Sequence, residues 1–179
     1  MPLRILIEGR PGAGKTTVAA LLAELLRERA VDVHGFVTHE LRAGGRRVGF
    51  DIEAFDGGRA TIAHASFAGP PRVGKYGVDV DAFERVALAA LRAPPPLSVV
   101  LIDELGKMEL ASEPFCDAVL DLFDSPLDLV ATVHVFRHPF TDALKRRPDV
   151  ERVRLTRANR TGLPERLGER LLRGGRELT

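Results

Sequence analysis

The octapeptide GRPGAGKT at residues 9–16 narrows the possible folds more than any other stretch of this chain. It satisfies G-x-x-x-x-G-K-[ST] without a mismatch, and its flanks agree with it. Ile5, Leu6 and Ile7 read as a buried strand before it, and residues 18–26 as an amphipathic helix after it. A strand, a glycine-rich turn and a helix form a phosphate cradle, because glycines let the backbone bend so that successive N–H groups converge on one anion near a positive helix end. Gly9, Arg10, Pro11, Gly12, Ala13, Gly14, Lys15, Thr16 and Thr17 are therefore the expected nucleotide-binding residues. Lys15 is expected to reach the β- and γ-phosphates of a nucleoside triphosphate, and the Thr16 hydroxyl to ligate Mg²⁺. A turn that matches the motif by chance would not also require the strand and the helix.

The 179 residues, 45% of them apolar, suit one buried domain spanning 1–179, since about 70% of the unfolded surface is hidden at this size. Lys and Arg number 26 against 25 for Asp and Glu, so a net charge of +1 supplies no bulk field to draw nucleic acid or a membrane surface. Nucleic acid is not supported as a partner. The lone cysteine, Cys116, forms no internal disulfide, and the opening MPLRILIEG reads as a strand rather than a cleavable leader; a cytoplasmic location and a monomer are expected. No apolar run approaches the roughly 20 residues of a membrane helix.

Along the chain, Val18, Leu21, Leu22, Leu25 and Leu26 share one face of a helix over 17–29. Residues 31–41 read as a strand, 42–46 as a hairpin turn, 47–55 as its partner, and 60–63 as a further strand after a second glycine turn. Short turns between strands imply antiparallel pairing, so this middle section should extend the edge of the main sheet. Residues 68–77 look like a loop. Asp81 and Glu84 resemble a capping box opening a helix that ends before Pro94. Strand and helix then alternate: a strand over 97–102, a helix from Ser112, a strand over 127–133, a short polar helix over 138–147, a strand over 150–155 and a last helix over 163–172. Residues 174–179 are expected to fray.

The apolar run to Ile102 ends in Asp103-Glu104. A strand-tip Asp is the second metal ligand a phosphate cradle requires, so Thr16 and Asp103 are the expected Mg²⁺ ligands. Glu104 is placed to orient and deprotonate a water facing the γ-phosphate; the duller reading is that both acids merely begin a loop. Lys107 either neutralises developing phosphoryl charge or is solvated, and Arg137 either touches phosphate or pairs with a surface carboxylate. Asn159 and Arg160 either hold the base, the guanidinium lying flat on it, or cap the last helix. Lys75 and Tyr76 lie in a segment able to cover the nucleotide, although a single tyrosine more often packs. The histidines show no zinc spacing, and Cys116 falls within a helix expected to bury it.

Beyond these motifs, GFVTHELRAGGRRVGFDI, VGKYGVDVDAFE, LIDELGKMEL, ATVHVFRHPF and TRANRTGLP together resemble the nucleoside-triphosphatase family of thermophilic prokaryotes, also found in vertebrates as the cancer-related nucleoside triphosphatase. The resemblance spans nearly the whole chain. It implies a P-loop NTPase fold of three α/β/α layers with a mostly parallel sheet, in which residues 127–133 lie between the phosphate-loop strand and the Asp-Glu strand. It further implies Mg²⁺-dependent hydrolysis of nucleoside triphosphates such as ATP and GTP to diphosphate and phosphate, with broad base tolerance. His134 and His138 depart from the usual pattern. Two rivals stand beside hydrolysis. A small kinase would use the same cradle and metal with an acceptor site and a lid, for which residues 68–77 are a candidate. A nucleotide-dependent switch acting with nucleic acid would need a basic or aromatic binding segment, and none is evident.

Overall fold

Apolar runs of three or four residues, separated by helical periodicity, leave little choice but strands buried on both faces. In the computed structural model, which describes residues 1–174, they form β1 (Arg4–Gly9), β7 (Val99–Leu105) and β8 (Asp128–His134) at the centre of one sheet. The sheet runs β5-β6-β4-β3-β2-β7-β8-β1-β9. Its remaining strands are β2 (Val33–Ala43), β3 (Arg46–Ala54), β4 (Arg59–His64), β5 (Arg72–Val73), β6 (Tyr76–Val78) and β9 (Glu151–Arg154). From β2 to β9 the neighbours are parallel, and from β2 to β5 they are antiparallel. The expected parallel core with an antiparallel extension is what forms, the sheet as a whole being mixed, and β8 lies between β1 and β7 as the family resemblance implied.

Side chains that alternate along a strand supply two cores. Ile5 and Ile7 face α1 (Lys15–Glu28) and α5 (Leu163–Gly174), while Leu6 faces α2 (Val80–Ala90), α3 (Glu113–Asp124) and α4 (Pro139–Lys145). On the second face Phe36, Phe83 and Phe115 meet edge-on or tilted, with ring centroids 5.0 to 5.9 Å apart. Strand β2 joins the two halves of the sheet. Its Gly35 has φ +103°, and a Cβ there would lie 2.0 Å from the Leu101 carbonyl oxygen, so β2 approaches β7 only because this residue has no side chain.

Several sequence expectations are corrected. Residues 68–77 are not a plain loop, because Arg72–Val73 and Tyr76–Val78 pair as a hairpin on the sheet edge. Tyr76 is buried there, its hydroxyl accepting from Arg47 Nε at 3.0 Å and its ring edge-on to Phe50. Helix α2 is capped by Asp79, which accepts from the Ala82 N–H, and not by Asp81; Glu84 instead accepts from the Ser112 hydroxyl that caps α3. Leu21 is exposed rather than part of the buried face of α1, and Cys116 is only half-buried. Of the stretch 174–179 expected to fray, residues 175–179 lie outside the described residues, and Gly174 closes α5.

Candidate active site

Residues 10–14 connect β1 to α1. Gly14 is the N-cap of α1 with φ +101°, a conformation that costs an ordinary residue the clash of its Cβ, and it launches the helix directly into Lys15. Gly9 ends β1 without a positive φ; its lack of a Cβ makes room for the Lys15 side chain, whose Cγ would be 3.2 Å away. Lys15 is buried, folded back so that Nζ donates to the carbonyls of Gly9 at 3.0 Å and Arg10 at 3.2 Å. The same ammonium stands 3.4 Å from Glu104 Oε2.

The sheet order brings the second chemical element alongside. Asp103 lies near the carboxyl end of β7, where ligands gather in open α/β sheets, and is 1% exposed. Its Oδ2 accepts from Thr16 Oγ1 at 2.7 Å and weakly from the Thr38 N–H, while Oδ1 accepts from Thr132 Oγ1 at 2.6 Å. Burial pushes its pKa up, and the Thr132 and Thr16 hydroxyls, the Thr38 N–H and Lys15 pull against that rise. Glu104 is likewise raised by burial, against the pull of Lys15 and with the charge of Asp103 adding to the rise. It keeps 31% of its side-chain exposure and opens on the cradle. Asp103 and Glu104 therefore belong to the strand itself and do not begin a loop.

Among the described residues no cluster of three or more His, Cys, Asp or Glu side chains could hold a metal. Thr16 and Asp103 offer hard oxygens 2.7 Å apart, one of them a buried carboxylate that lacks a cation in direct contact. Such a pair suits Mg²⁺, which takes one or two protein oxygens and fills its remaining positions with water and phosphate oxygens.

Two cavities flank the phosphate loop. One, of about 480 Å³, lies against Gly9 to Ala13 and is walled by Leu155, Thr156, Arg157 and Arg160. Arg160 passes over the loop, its Cδ 4.0 Å from the position a Cβ on Gly14 would take. Asn159 does not line this cavity: its Oδ1 accepts from the Thr156 N–H and its Nδ2 donates to the Arg154 carbonyl, each at 2.8 Å, so it holds the turn that presents its neighbours. The second cavity, of about 240 Å³, lies in front of Glu104 with exposed Lys107 at its rim. Arg137 is exposed beyond the tip of β8 and lines neither cavity, while Thr17 is exposed on the first turn of α1.

A family model described as NTPase matches residues 4–167. The chain belongs to this NTPase family. Across 175 residues it is 43% identical to the nucleoside-triphosphatase THEP1 of Methanopyrus kandleri, covering 96% of this chain and 97% of that one. Against the human cancer-related nucleoside-triphosphatase it is 36% identical, covering 91% and 93%. The crystal structure of THEP1 from Aquifex aeolicus superposes with a TM-score of 0.82 at 33% identity, covering 92% and 96%. The solution structure of a human cancer-related nucleoside triphosphatase superposes with a TM-score of 0.80 at 36% identity, covering 93% and 95%.

Several residues of this NTPase site carry no sequence signal of their own. Thr132 and Thr38 look like ordinary strand threonines until β8 and β2 set them around Asp103. Glu109, on a single 3₁₀ turn after β7, is fully buried near Glu104, and its pKa is pushed up to about 8 by burial and then by the charge of Glu104. Lys145, 9% exposed, bonds both Glu8 at 2.8 Å and the His134 carbonyl at 2.9 Å, tying α4 to the tips of β1 and β8. The alternation of Glu8 with buried Ile7 and Gly9 was the one available hint, since it marks a charge on a central strand.

Proposed function

We propose that this chain hydrolyses nucleoside triphosphates, ATP and GTP among them, to diphosphate and inorganic phosphate in a Mg²⁺-dependent reaction in the cytoplasm. The observation that carries the reading is the convergence of three groups at one end of the loop. Lys15 Nζ stands 3.4 Å from the Glu104 carboxylate, and the Thr16 hydroxyl is hydrogen-bonded to Asp103. A fixed cation, a hard-oxygen metal site and a carboxylate base are the parts that phosphoryl transfer to water requires.

In this reading the backbone N–H groups of residues 10–14 and Lys15 hold the β- and γ-phosphates. The ammonium leaves the Gly9 and Arg10 carbonyls for the phosphate oxygens. Thr16 and Asp103 hold Mg²⁺, which when bound neutralises charge on the phosphate oxygens. Glu104 orients a water and takes its proton; the raised pKa that burial imposes makes it a stronger base than an ordinary carboxylate. The Leu155–Arg160 cavity takes the base, with an arginine face in place of a fixed set of donors and acceptors, which favours breadth over selectivity. Asn159 contributes by holding that wall, and Lys107 and Arg137 are the exposed cations able to approach developing phosphoryl charge.

Chromatographic separation of products from labelled ATP and GTP tests the proposal. Equal diphosphate and phosphate, abolished by excess chelator, is expected. Full turnover in chelator, or release of monophosphate and pyrophosphate, would sink it.

A further inference from the structure

The cavity between the phosphate loop and the Leu155–Arg160 wall holds more positive charge than a base and a 5′-triphosphate require. Four exposed arginines line it: Arg10 in the loop, Arg154 at the end of β9, and Arg157 and Arg160 in the turn that follows. The whole chain carries 26 basic residues against 25 acidic ones, so this is a local concentration and not a consequence of bulk charge. Arginines elsewhere are matched to acids, Arg4 to Asp149, Arg47 to Glu40, Arg59 to Asp51 and Arg170 to Glu151. Among the described residues the four at the cavity pair with no carboxylate. Glu8, the one acid in the lining, is already taken by Lys145 at 2.8 Å and Arg152 at 3.4 Å.

Like charges on one concave wall repel one another and focus a positive potential into the space between them, which a bound anion relieves. The backbone that carries them is fixed before any ligand arrives. The Leu155 N–H donates to the Glu8 carbonyl at 2.8 Å and the Arg160 N–H to the Thr156 carbonyl at 3.1 Å, while the Asn159 side chain closes the turn through Thr156 and Arg154. A preorganised wall loses less freedom on binding.

The cavity has more cations than the nucleotide parts so far placed in it. Lys15 and the Thr16–Asp103 pair serve the β- and γ-phosphates, and Arg160 offers its face to the base. Arg10, within the loop itself, is left for the α-phosphate, and Arg154 and Arg157 remain. A phosphate added beyond the γ position would extend toward Glu104, which does not line this cavity. The ribose is the attachment point that keeps a further anion on the arginine side.

We infer that Arg154 and Arg157 bind a phosphate monoester on the ribose, so that the preferred substrates are free nucleoside 5′-triphosphates that also carry a 2′- or 3′-phosphate. Such a group brings a charge of about −1.5 to −2 at pH 7 and three acceptor oxygens, which the planar fork of a guanidinium meets two at a time. A flat arginine face leaves the base unread, and discrimination moves to the sugar. The inference rests on the reading of this cavity as the base site.

Isothermal titration calorimetry without metal compares adenosine 5′-diphosphate with its 2′-phosphorylated and 3′-phosphorylated derivatives. At least one derivative should bind about tenfold tighter than the parent nucleotide or better, since one charge-assisted hydrogen bond supplies roughly that factor. ATP should displace it. The readout is the affinity ratio and not either affinity alone, because the arginines line the binding cavity itself. Arg154→Gln combined with Arg157→Gln should bring the ratio close to one. Both side chains are exposed and their removal breaks no ion pair; if the combination does not fold, each substitution alone makes the same comparison. Derivatives that bind no tighter than the diphosphate, a preference that survives the substitutions, or a derivative that ATP does not displace would overturn the inference. So would equal binding of a 5′-diphosphorylated adenylyl dinucleotide, whose 3′-phosphate is a diester, because it would assign the wall to the end of an RNA chain. Failure of adenosine 5′-diphosphate itself to bind overturns instead the reading of the cradle and base cavity.

Discussion

The two halves of the sheet are built on different physics. From β2 to β9 the strands are parallel, with β1, β7 and β8 buried on both faces and joined through helices, so their tips form one crevice into which the loop, Asp103 and Glu104 all open. From β3 to β5 they are antiparallel and joined by tight turns, with Gly44, Gly45 and Gly57 at positive φ. Charge networks here are local: Arg47 reaches across to Glu40 on β2, and Asp51 accepts from Arg59 and Thr61. At the tips of the central parallel strands Lys15, Asp103 and Glu109 are buried together, whereas in the antiparallel half charge is more spread and mostly solvated, although Asp51 is buried. The first half can perform chemistry because its charges are desolvated and fixed, whereas the second shapes what may approach.

That contrast can be broken by experiment, and the largest effect should come from the cradle. Lys15→Ala should reduce kcat/KM by about 10³-fold or more, since it removes the fixed cation from both ground-state and transition-state phosphates. Steady-state hydrolysis measures it, and parental activity would remove the cradle from the mechanism.

Next comes Glu104→Gln. Nucleotide binding should persist while kcat falls by about 10²- to 10⁴-fold, the usual range for a general base. The parent should lose kcat on the acid side at a pH above the ordinary carboxylate range, because burial raises the Glu104 pKa, and this limb should vanish in the variant. A loss of affinity in place of turnover would assign Glu104 to binding, and Lys107 and Arg137 would become the groups to test.

Glu109 sharpens the comparison as a buried acid of the parallel half with no partner charge. Its folded pKa of about 8 lies above the ordinary 4.5, so the fold favours its neutral form. The resulting stabilisation is complete below the unfolded pKa and is lost as pH rises through the folded one, at up to about 1.4 kcal/mol per pH unit between them. Glu109→Gln should therefore flatten the fall in urea-unfolding stability from pH 5 to pH 8; an unchanged slope would show that Glu109 does not cause it.

The smallest effect is expected across the join. Tyr76→Phe removes the hydroxyl that accepts from Arg47 and should cost about 1 kcal/mol of stability. Hydrolysis per folded molecule should stay the same. A fall in kcat would show that the antiparallel half is coupled to the chemistry and not merely to access.

What could be read in advance follows the same division. The loop was legible because backbone geometry over eight contiguous residues sets it, and glycine, lysine and threonine at fixed spacing leave few alternatives. Asp103 was legible for a related reason, since an apolar run ending in an acid marks a strand tip. The edge hairpin of β5 and β6 was missed because three glycines and two prolines within residues 68–77 read as a loop. Only Phe50 and Arg47, brought from β3, give Tyr76 a place to bury. The cap of α2 was misplaced by two residues because Asp79 and Asp81 are equivalent in composition, and backbone direction alone chooses between them.

By itself, then, the sequence determined the phosphate loop, the candidate residues Lys15, Asp103 and Glu104 at its mouth, and the alternation of strand and helix that carries them, because each depends on neighbours within a few turns of chain. Tertiary structure alone decided what surrounds Asp103. Its partners Thr16, Thr38 and Thr132 stand 87, 65 and 29 residues away on three different elements. It also decided that a cavity walled by Phe50 and Val73 faces Glu104, and that His134 is buried beside Gly9. The physical reason is that burial and pairing are properties of strand order. Strand order depends on which hydrophobic faces find one another, and no local spacing encodes that choice.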